Sequence, residues 1–551
     1  MAYYIVAAGP NLYSMSVNGV ATPLTLPAGI TIDQTRRPRM AILGRNVIVV
    51  NGVTRSVLVR PDNTCYPLML AAPSGAPVLA PGAAGGYSGN VQGKYTFIVV
   101  DKDTGALILE SDFSPASAPS GAMTSKLISG SGINWSSDSI VTARRMYRTT
   151  TGPGSTYFKW IDVEGNTTAG TLVNDDMPDS ALGLVAAPTD LGMGPGGTPG
   201  SFMTIVCQWK NRLWGVGDTD IDTLRFTADS KAYAWPETYG FSIAPAGGDQ
   251  YGVTGLAPRR DELGVGKRNY LYKIIGAGSG SAPLFDFQVI KVKEGAGAGI
   301  WAPDSVVIIN DMAYYLGEFG VNRWGPNGVD SMVDGKVRKW FTTDNYFNRS
   351  EFPNAFGKYN ARYHTYELHL ASAGQTQIDR WVSLDITTGG WYGPHKTDKM
   401  VPTIGKSYIN AGGLEFPIIG AADGYIYVQN QPGYYFDDDT PIAIDWESKY
   451  HDGRTPMVEK LFRELSVASK GWGTFGNIVA RARAGTLQAD GRFTIQRENV
   501  MPIDGRNDKQ TLDGVGQGRY AQIAFIGTSQ VDQGCEIYGY EVPFFEIGVR
   551  Q

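Results

Sequence analysis

The chain holds 551 residues, too many for one hydrophobic core, and about three domains are expected at ~100–200 residues each. Apolar residues make up 42% and aromatics 11%, enough to build cores, so the 70 glycines and 31 prolines signal turns and exclude a disordered chain. A net charge of −5 excludes a dedicated nucleic-acid binder, which needs a basic footprint, but not a wall that nucleic acid slides past. Charged residues are only 18%, below the ~25% of an average soluble protein, which fits burial against partners or a surface made polar by Ser, Thr, Asn and Gly. No uncharged apolar run approaches the ~18 residues of a membrane helix. Met1-Ala2-Tyr3-Tyr4-Ile5 lacks the basic start and long apolar core of a signal peptide. Cys65, Cys207 and Cys535 are odd in number and far apart, so they read as small buried hydrophobes in a chain made in a reducing cytoplasm.

No helical stripe exceeds two turns; what recurs along the chain is strand, tight turn, strand. The first such unit is Met40 to Leu43, Gly44-Arg45-Asn46, then Val47 to Val50 and Asn51-Gly52, a dipeptide suited to hairpin turns. A linker rich in Ala, Pro and Gly spans Ala71 to Gly86. Behind it, Tyr95 to Asp101, Ala143 to Thr149 and Tyr157 to Ile161 alternate polar and apolar residues, with Thr167-Thr168 and Asn174-Asp175-Asp176 closing a segment that predicts a small β-sandwich. A second linker runs from Gly192 to Gly200. Further strand–turn–strand units follow at Ile205 to Gly217, Gly252 to Ile275, Ser305 to Leu316, Ala361 to Asp385 and Pro417 to Val428. Small antiparallel sheets repeated in this way predict the blades of a β-propeller, with stacked sandwiches as the competing arrangement. Spacing lengthens beyond Asp437-Asp438-Asp439, where Ile442 to Trp446, Lys460 to Val467 and Ile537 to Val549 predict a second sandwich. The expected fold class is therefore all-β: a β-propeller of about six blades with an inserted Ig-like sandwich and a C-terminal sandwich-like region. The expected divisions are 1–84 for the first propeller part, 85–183 for the insertion, 184–439 for the main propeller and 440–551 for the C-terminal region.

Catalytic and ligand chemistry is sparse. His364 and His369 stand five apart in an expected strand, on opposite faces, which is poor geometry for one metal ion; His395 and His451 lie elsewhere. Gly405-Lys406-Ser407 imitates the end of a phosphate loop, but Met400 stands where the first glycine belongs and no helix follows. Gly295-Ala296-Gly297-Ala298-Gly299 could cradle a phosphate, yet Ile300-Trp301-Ala302-Pro303 follows in place of a helix, so a turn between blades is the better reading. Asp437-Asp438-Asp439 could hold calcium but lacks further carboxylates at alternating spacing, and a solvated loop explains it. Trp214, Trp324 and Trp381 fall at strand positions suited to core packing. Arg36, Arg37 and Arg39 form the densest basic patch, read as a strand-edge guard, a subunit contact or a DNA contact. No catalytic residue, metal site or cofactor is expected.

Three stretches carry a family resemblance: Lys210-Asn211-Arg212-Leu213-Trp214 with Leu224 to Thr227 and Trp235-Pro236; Phe287 to Ile290 with Ala302 to Val307 and Tyr314 to Val321; and Trp381 to Asp385 with Thr388-Gly389-Gly390-Trp391 and Asp423 to Tyr427. In these residues, and in element order over roughly 35 to 430, the chain resembles the β-propeller nozzle or tail-hub proteins of short-tailed bacteriophages. The insertion, through Arg144 to Thr149, resembles a fibronectin type III or related Ig-like domain. The C-terminal part departs from the resemblance. If the resemblance holds, it implies a non-enzymatic virion protein of the tail, made in the host cytoplasm. Such a protein assembles with itself into a ring, commonly six-fold, beside adaptor or portal-proximal rings, fibres or a plug, and phage DNA crosses its channel during ejection. The competing functions are another virion adaptor, fibre-attachment or receptor-binding propeller, and a glycan-binding or glycan-hydrolysing propeller with converging carboxylates or exposed Trp and Tyr platforms.

Overall fold

The computed structural model describes residues 3–152, 155–166, 171–184, 202–236, 238–243, 251–280, 285–292, 297–396, 400–410, 412–429, 436–437, 440–441, 443–472, 478–488, 493–503, 510–528 and 534–548. The chain is nearly all β. It divides into two compact units, Met1–Tyr427 and Val428–Gln551.

Six antiparallel sheets of the first unit are propeller blades. In chain order they are built on Arg39–Leu43, Asn46–Val50, Val57–Val59 and Cys65–Pro67; on Met203–Trp209, Arg212–Gly217, Thr223–Phe226 and Gly240–Ser242; on Gly255–Pro258, Leu263–Gly266, Leu271–Ile275 and Gln288–Lys291; on Val307–Ile309, Met312–Gly317, Gly320–Gly325 and Gly328–Ser331; on Phe356–Asn360, Thr365–Leu370, Arg380–Asp385 and Trp391–Lys396; and on Pro402–Ile409, Glu415–Ala421 and Ile426–Val428. In each blade the strands pair in sequence order, and the first strands of successive blades neighbour one another. The second strands Arg212–Gly217 and Thr365–Leu370 are buried along their whole length, the polar Arg212, Glu367 and His369 included. The hairpins into Arg212–Gly217 and Met312–Gly317 are tight. Lys210 and Asn211 take φ of 50° and 56°, and Asn310 and Asp311 take 49° and 60°, the left-handed pair that a two-residue hairpin turn demands.

A seventh sheet, Tyr3–Ala8, Asn11–Ser16 and Ala21–Pro23, stands between the sixth and first blades. Leu12, Leu24, Ile30 and Ile32 pack it on Val49, Val57 and Val59 of the first blade. On its other side the Tyr4 ring lies 5.3 Å from that of Tyr408; the Tyr4 hydroxyl donates to the Ile409 carbonyl at 3.2 Å and accepts the Ile409 N–H at 2.9 Å. The N-terminal sheet and the sixth blade thus close the ring side by side, without exchanging a strand. Asn51-Gly52 does not form the two-residue hairpin its sequence suggests. The Asn51 side chain accepts from the N–H groups of Val53 and Thr54 at 3.0 and 2.9 Å, and this local turn lengthens the connection to Val57.

Between the first and second blades lies the insertion, two sheets ordered Leu107–Glu110, Gly93–Val100, Ala143–Arg148, Phe158–Glu164 and Thr171–Asp175, Met123–Ile133, Val78–Gly89. Much of the Ala-, Pro- and Gly-rich stretch read as a linker is the strand Val78–Gly89. Its small residues suit it to close packing: a Cβ at Gly85 would lie 2.6 Å from Leu127. One apolar cluster joins Leu58, Leu68 and Leu70 of the first blade to Leu79, Met146 and Trp160 of the insertion and to Leu213 and Trp235 of the second-blade region. Arg60 adds an ion pair to Asp101 at 2.6 Å. The insertion is therefore seated on the ring. The second linker, Gly192 to Gly200, and Thr167-Thr168 lie outside the described residues.

The second unit is a sandwich of Ala443–Glu447, Tyr520–Thr528, Val479–Leu487 and Phe493–Pro502 against Gln510–Gly518, Glu459–Trp472 and Gly534–Glu541, with Phe544–Gly548 also paired to Glu459–Trp472. Its core is set by period-two alternation: Ala480, Ala482 and Ala484 point in, while Arg481 and Arg483 point out, Arg483 to Glu447 and Glu498 at 2.7 and 2.6 Å.

Candidate functional site

The arginine patch sits at the ring's axis. Arg37 and Arg39 lead into the first blade's inner strand, and both reach Asp304, on the 3-10 turn Pro303–Ser305 that precedes the fourth blade. Arg37 Nη1 lies 2.9 Å from Asp304 Oδ2, and Arg39 Nε lies 2.8 Å from Oδ1. Arg37 also donates to the Asn354 carbonyl at 3.0 Å and lies over the Phe356 ring at 5.4 Å, while Arg39 donates to the Thr204 carbonyl at 2.8 Å. Four of the six blades thus meet around one carboxylate and its two arginines. Burial alone would raise the Asp304 carboxyl, but the charges of Arg39 and Arg37 outweigh it and hold it below the ordinary carboxylate value. Arg36 donates to the Gly52 carbonyl at 3.1 Å. The three arginines read from sequence as possible subunit or DNA contacts are engaged within the chain, and Arg37 and Arg39 brace the propeller across its axis.

A second constellation lies on the fifth blade. Strand pairing places Phe356, His369, Trp381 and His395 side by side across its four strands. Their rings stack at 4.4, 5.8 and 5.0 Å, starting beneath Arg37. One row along, the Lys358 ammonium lies 2.9 Å from Glu367, whose other oxygen accepts from the Asn360 amide at 2.8 Å; all three side chains are buried. His369 is fully buried, and neither ring nitrogen has a hydrogen-bond partner. Burial, then the charge of Lys358, then that of His395 push its pKa well below the ordinary value. Burial likewise lowers Lys358 against the pull of Glu367, and it lowers His395. His364, expected in a strand opposite His369, lies instead in the turn before it, at φ 51°, where its Nδ1 meets the Tyr359 hydroxyl at 3.0 Å. Sequence reasoning missed this row. Its only sequence signal is period two, with Phe356, Lys358 and Asn360 on one face and Gly357 and Tyr359 on the other.

The remaining motifs fall into structural roles. Gly405-Lys406-Ser407 lies inside the strand Pro402–Ile409. Gly299 packs against backbone: a Cβ there would come 2.2 Å from the Lys267 carbonyl oxygen. Gly295 and Ala296 lie outside the described residues, as do Asp438, Asp439 and the side chain of Asp437. Trp214 and Trp324 are buried, whereas Trp381 is half-buried in its stack. Burial pushes the Cys65 thiol up to about 11 and raises Cys207 further, which makes both poor nucleophiles. Among the described residues, no group of three His, Cys, Asp or Glu side chains is placed to hold a metal. Two open depressions, one around Thr22, Asn63 and Tyr66 and one around Tyr4, Met40, Ile42 and Gln208, have no carboxylate or histidine in their walls.

No family model matches the chain, and no curated protein matches it. Solved structures that align with it include the type-IX secretion component PorZ of Porphyromonas gingivalis, at 9% identity over 99% of this chain and 80% of that one, TM-score 0.27. The β-propeller domain of Cps50 (Swd1) from Myceliophteria thermophila aligns at 8% identity over 78% of this chain and 99% of that one, TM-score 0.24. An extracellular domain of a putative one-component system from B. thetaiotaomicron aligns at 11% identity over 78% and 45%, TM-score 0.20. Likenesses this distant say nothing of function.

Proposed function

We propose that this chain is a structural subunit of a bacteriophage virion: the tail nozzle, a ring of copies whose shared channel conducts DNA, acting without catalysis. The observation that carries the assembly part of this reading is an apolar strip on the second sandwich. Leu461 and Phe545 face each other across the pair formed by Glu459–Trp472 and Phe544–Gly548, and both are exposed, as are Met457 and Ile547. An exposed apolar strip of this kind suits a contact between subunits. The axial brace supports the mechanical part. A propeller tied through Asp304 is a stiff block for a tube wall, and its axis is occupied by side chains, so DNA would pass between subunits and not through one propeller.

The test is the solution mass of the purified protein and its symmetry by electron microscopy. A closed ring of several copies, commonly six in the resembling family, with an open channel is the expected result. A monomer that persists at high concentration and on addition of purified tails lacking this protein would count against the proposal.

A further inference from the structure

The sixth blade differs from every other sheet of the ring. Among the described residues, each other sheet contributes side chains to an apolar cluster shared with a neighbour, and the sixth blade contributes to none. Only Ile419 and Ala421 are buried hydrophobics on its strands, and it has three strands where its predecessors have four. Towards the N-terminal sheet it is held by the Tyr4–Tyr408 pair and hydroxyl bonds. Towards the fifth blade it meets that blade's polar face: a Cβ at Gly405 would lie 2.8 Å from Lys358 and 3.0 Å from Phe356, and Ser407 donates to the Tyr359 carbonyl at 3.4 Å.

We propose that the sixth blade is an acid-released latch: its seat on the fifth blade requires neutral His369, and protonation of His369 frees residues 402–428 while the other blades stay folded. Neutral, the imidazole is stacked between Phe356 and Trp381 without a polar partner. Charged, it would carry two N–H donors with nothing to accept them, a severe cost in a buried site. The charged groups around it do not relieve this. Lys358 and His395, on its own sheet, oppose a further positive charge; Glu367 is engaged by Lys358 and Asn360; Arg37, above Phe356, is also a cation. The sixth blade presents Gly405 and Ser407 at this seam, and its Lys406 is exposed. The least costly way to admit the proton is to separate the seam that has no apolar adhesive. The direction follows from linkage. The released state takes up a proton near the ordinary value of about 6.5 and the closed state does not, so the latch is intact above that value and loses about tenfold in its closed-to-open ratio per pH unit below it.

Regional hydrogen exchange on the full chain tests this. Corrected for intrinsic rates, opening of residues 402–428 should rise about sixteenfold between pH 6.5 and 5, while Val307–Ser331 does not change. His369→Phe keeps the stack without a titrating group; it should retain protection at neutral pH and lose the acid response. The proposal is overturned if 402–428 stays protected at pH 5, if it opens only together with the other blades, or if His369→Phe responds to acid as the wild type does. Should the variant not fold, the regional comparison in the wild type decides alone.

Discussion

Asp304 is the side chain on which most of the ring converges, and nothing in Ala302-Pro303-Asp304-Ser305 announces it. Asp304→Ala should leave two guanidinium groups with one lost partner between them, at a cost near about 3 kcal/mol because the site is mostly but not fully buried. The midpoint of urea unfolding would measure it. Because the Asp304 pKa is depressed, its contribution is complete above the ordinary carboxylate value of 3.8 and lost only as pH falls through the lower folded value. The brace therefore outlasts the histidine seam on acidification. Four serines make the same point in the insertion. Ser111, Ser114, Ser117 and Ser120 each donate a backbone N–H to, and accept with Oγ from, Phe97, Tyr95, Gly93 and Val91 in turn, at 2.8–3.0 Å. The three-residue spacing was visible in the sequence, but its partner strand was not. Ser117→Ala should orphan the Gly93 N–H and cost about 1–3 kcal/mol, read as a lower thermal midpoint of the protein.

At the scale of elements, strands and their order were the legible part. Five of the six blades contain a strand–turn–strand unit that apolar runs and turn residues mark out directly. The fifth blade begins at Phe356, ahead of the unit that the sequence marks from Ala361, and Lys358 and Asn360 disguise that inner strand as polar. The N-terminal sheet went unread, since its third strand has only three residues, all exposed. The two faces of the fifth blade differ for a physical reason. Tyr366, Leu368, Val382 and Leu384 share an apolar cluster with the fourth blade, whereas Lys358, Glu367 and His369 face the sixth. Blade junctions elsewhere are close-packed. A Cβ at Gly264 would sit 2.6 Å from the Trp324 ring of the next blade, so Gly264→Ala should cost about 1–3 kcal/mol, measurable by thermal melting.

At the scale of the whole molecule, the two compact units have separate cores, that of the second being built on Phe462, Leu465, Ala482, Ile523 and Phe525. Scanning calorimetry of the full chain is expected to show at least two transitions; a single two-state transition would contradict independent cores. If the apolar strip of the second unit mediates assembly, Phe545→Ser with Ile547→Ser should lower the solution mass while leaving the transition of the first unit in place.

What the sequence determined by itself is the all-β class and its repeated-blade character, because alternation, apolar runs and Gly, Asn and Asp turns are local and each fixes a strand or a hairpin where it stands. What only the tertiary structure decided is which polar residues meet: Arg37 and Arg39 on Asp304, some 265 positions away, and His369 between Phe356 and Trp381. Those meetings depend on ring closure and strand register, which are properties of the whole chain, so the arginines that look like a surface patch in one dimension become an axial brace in three.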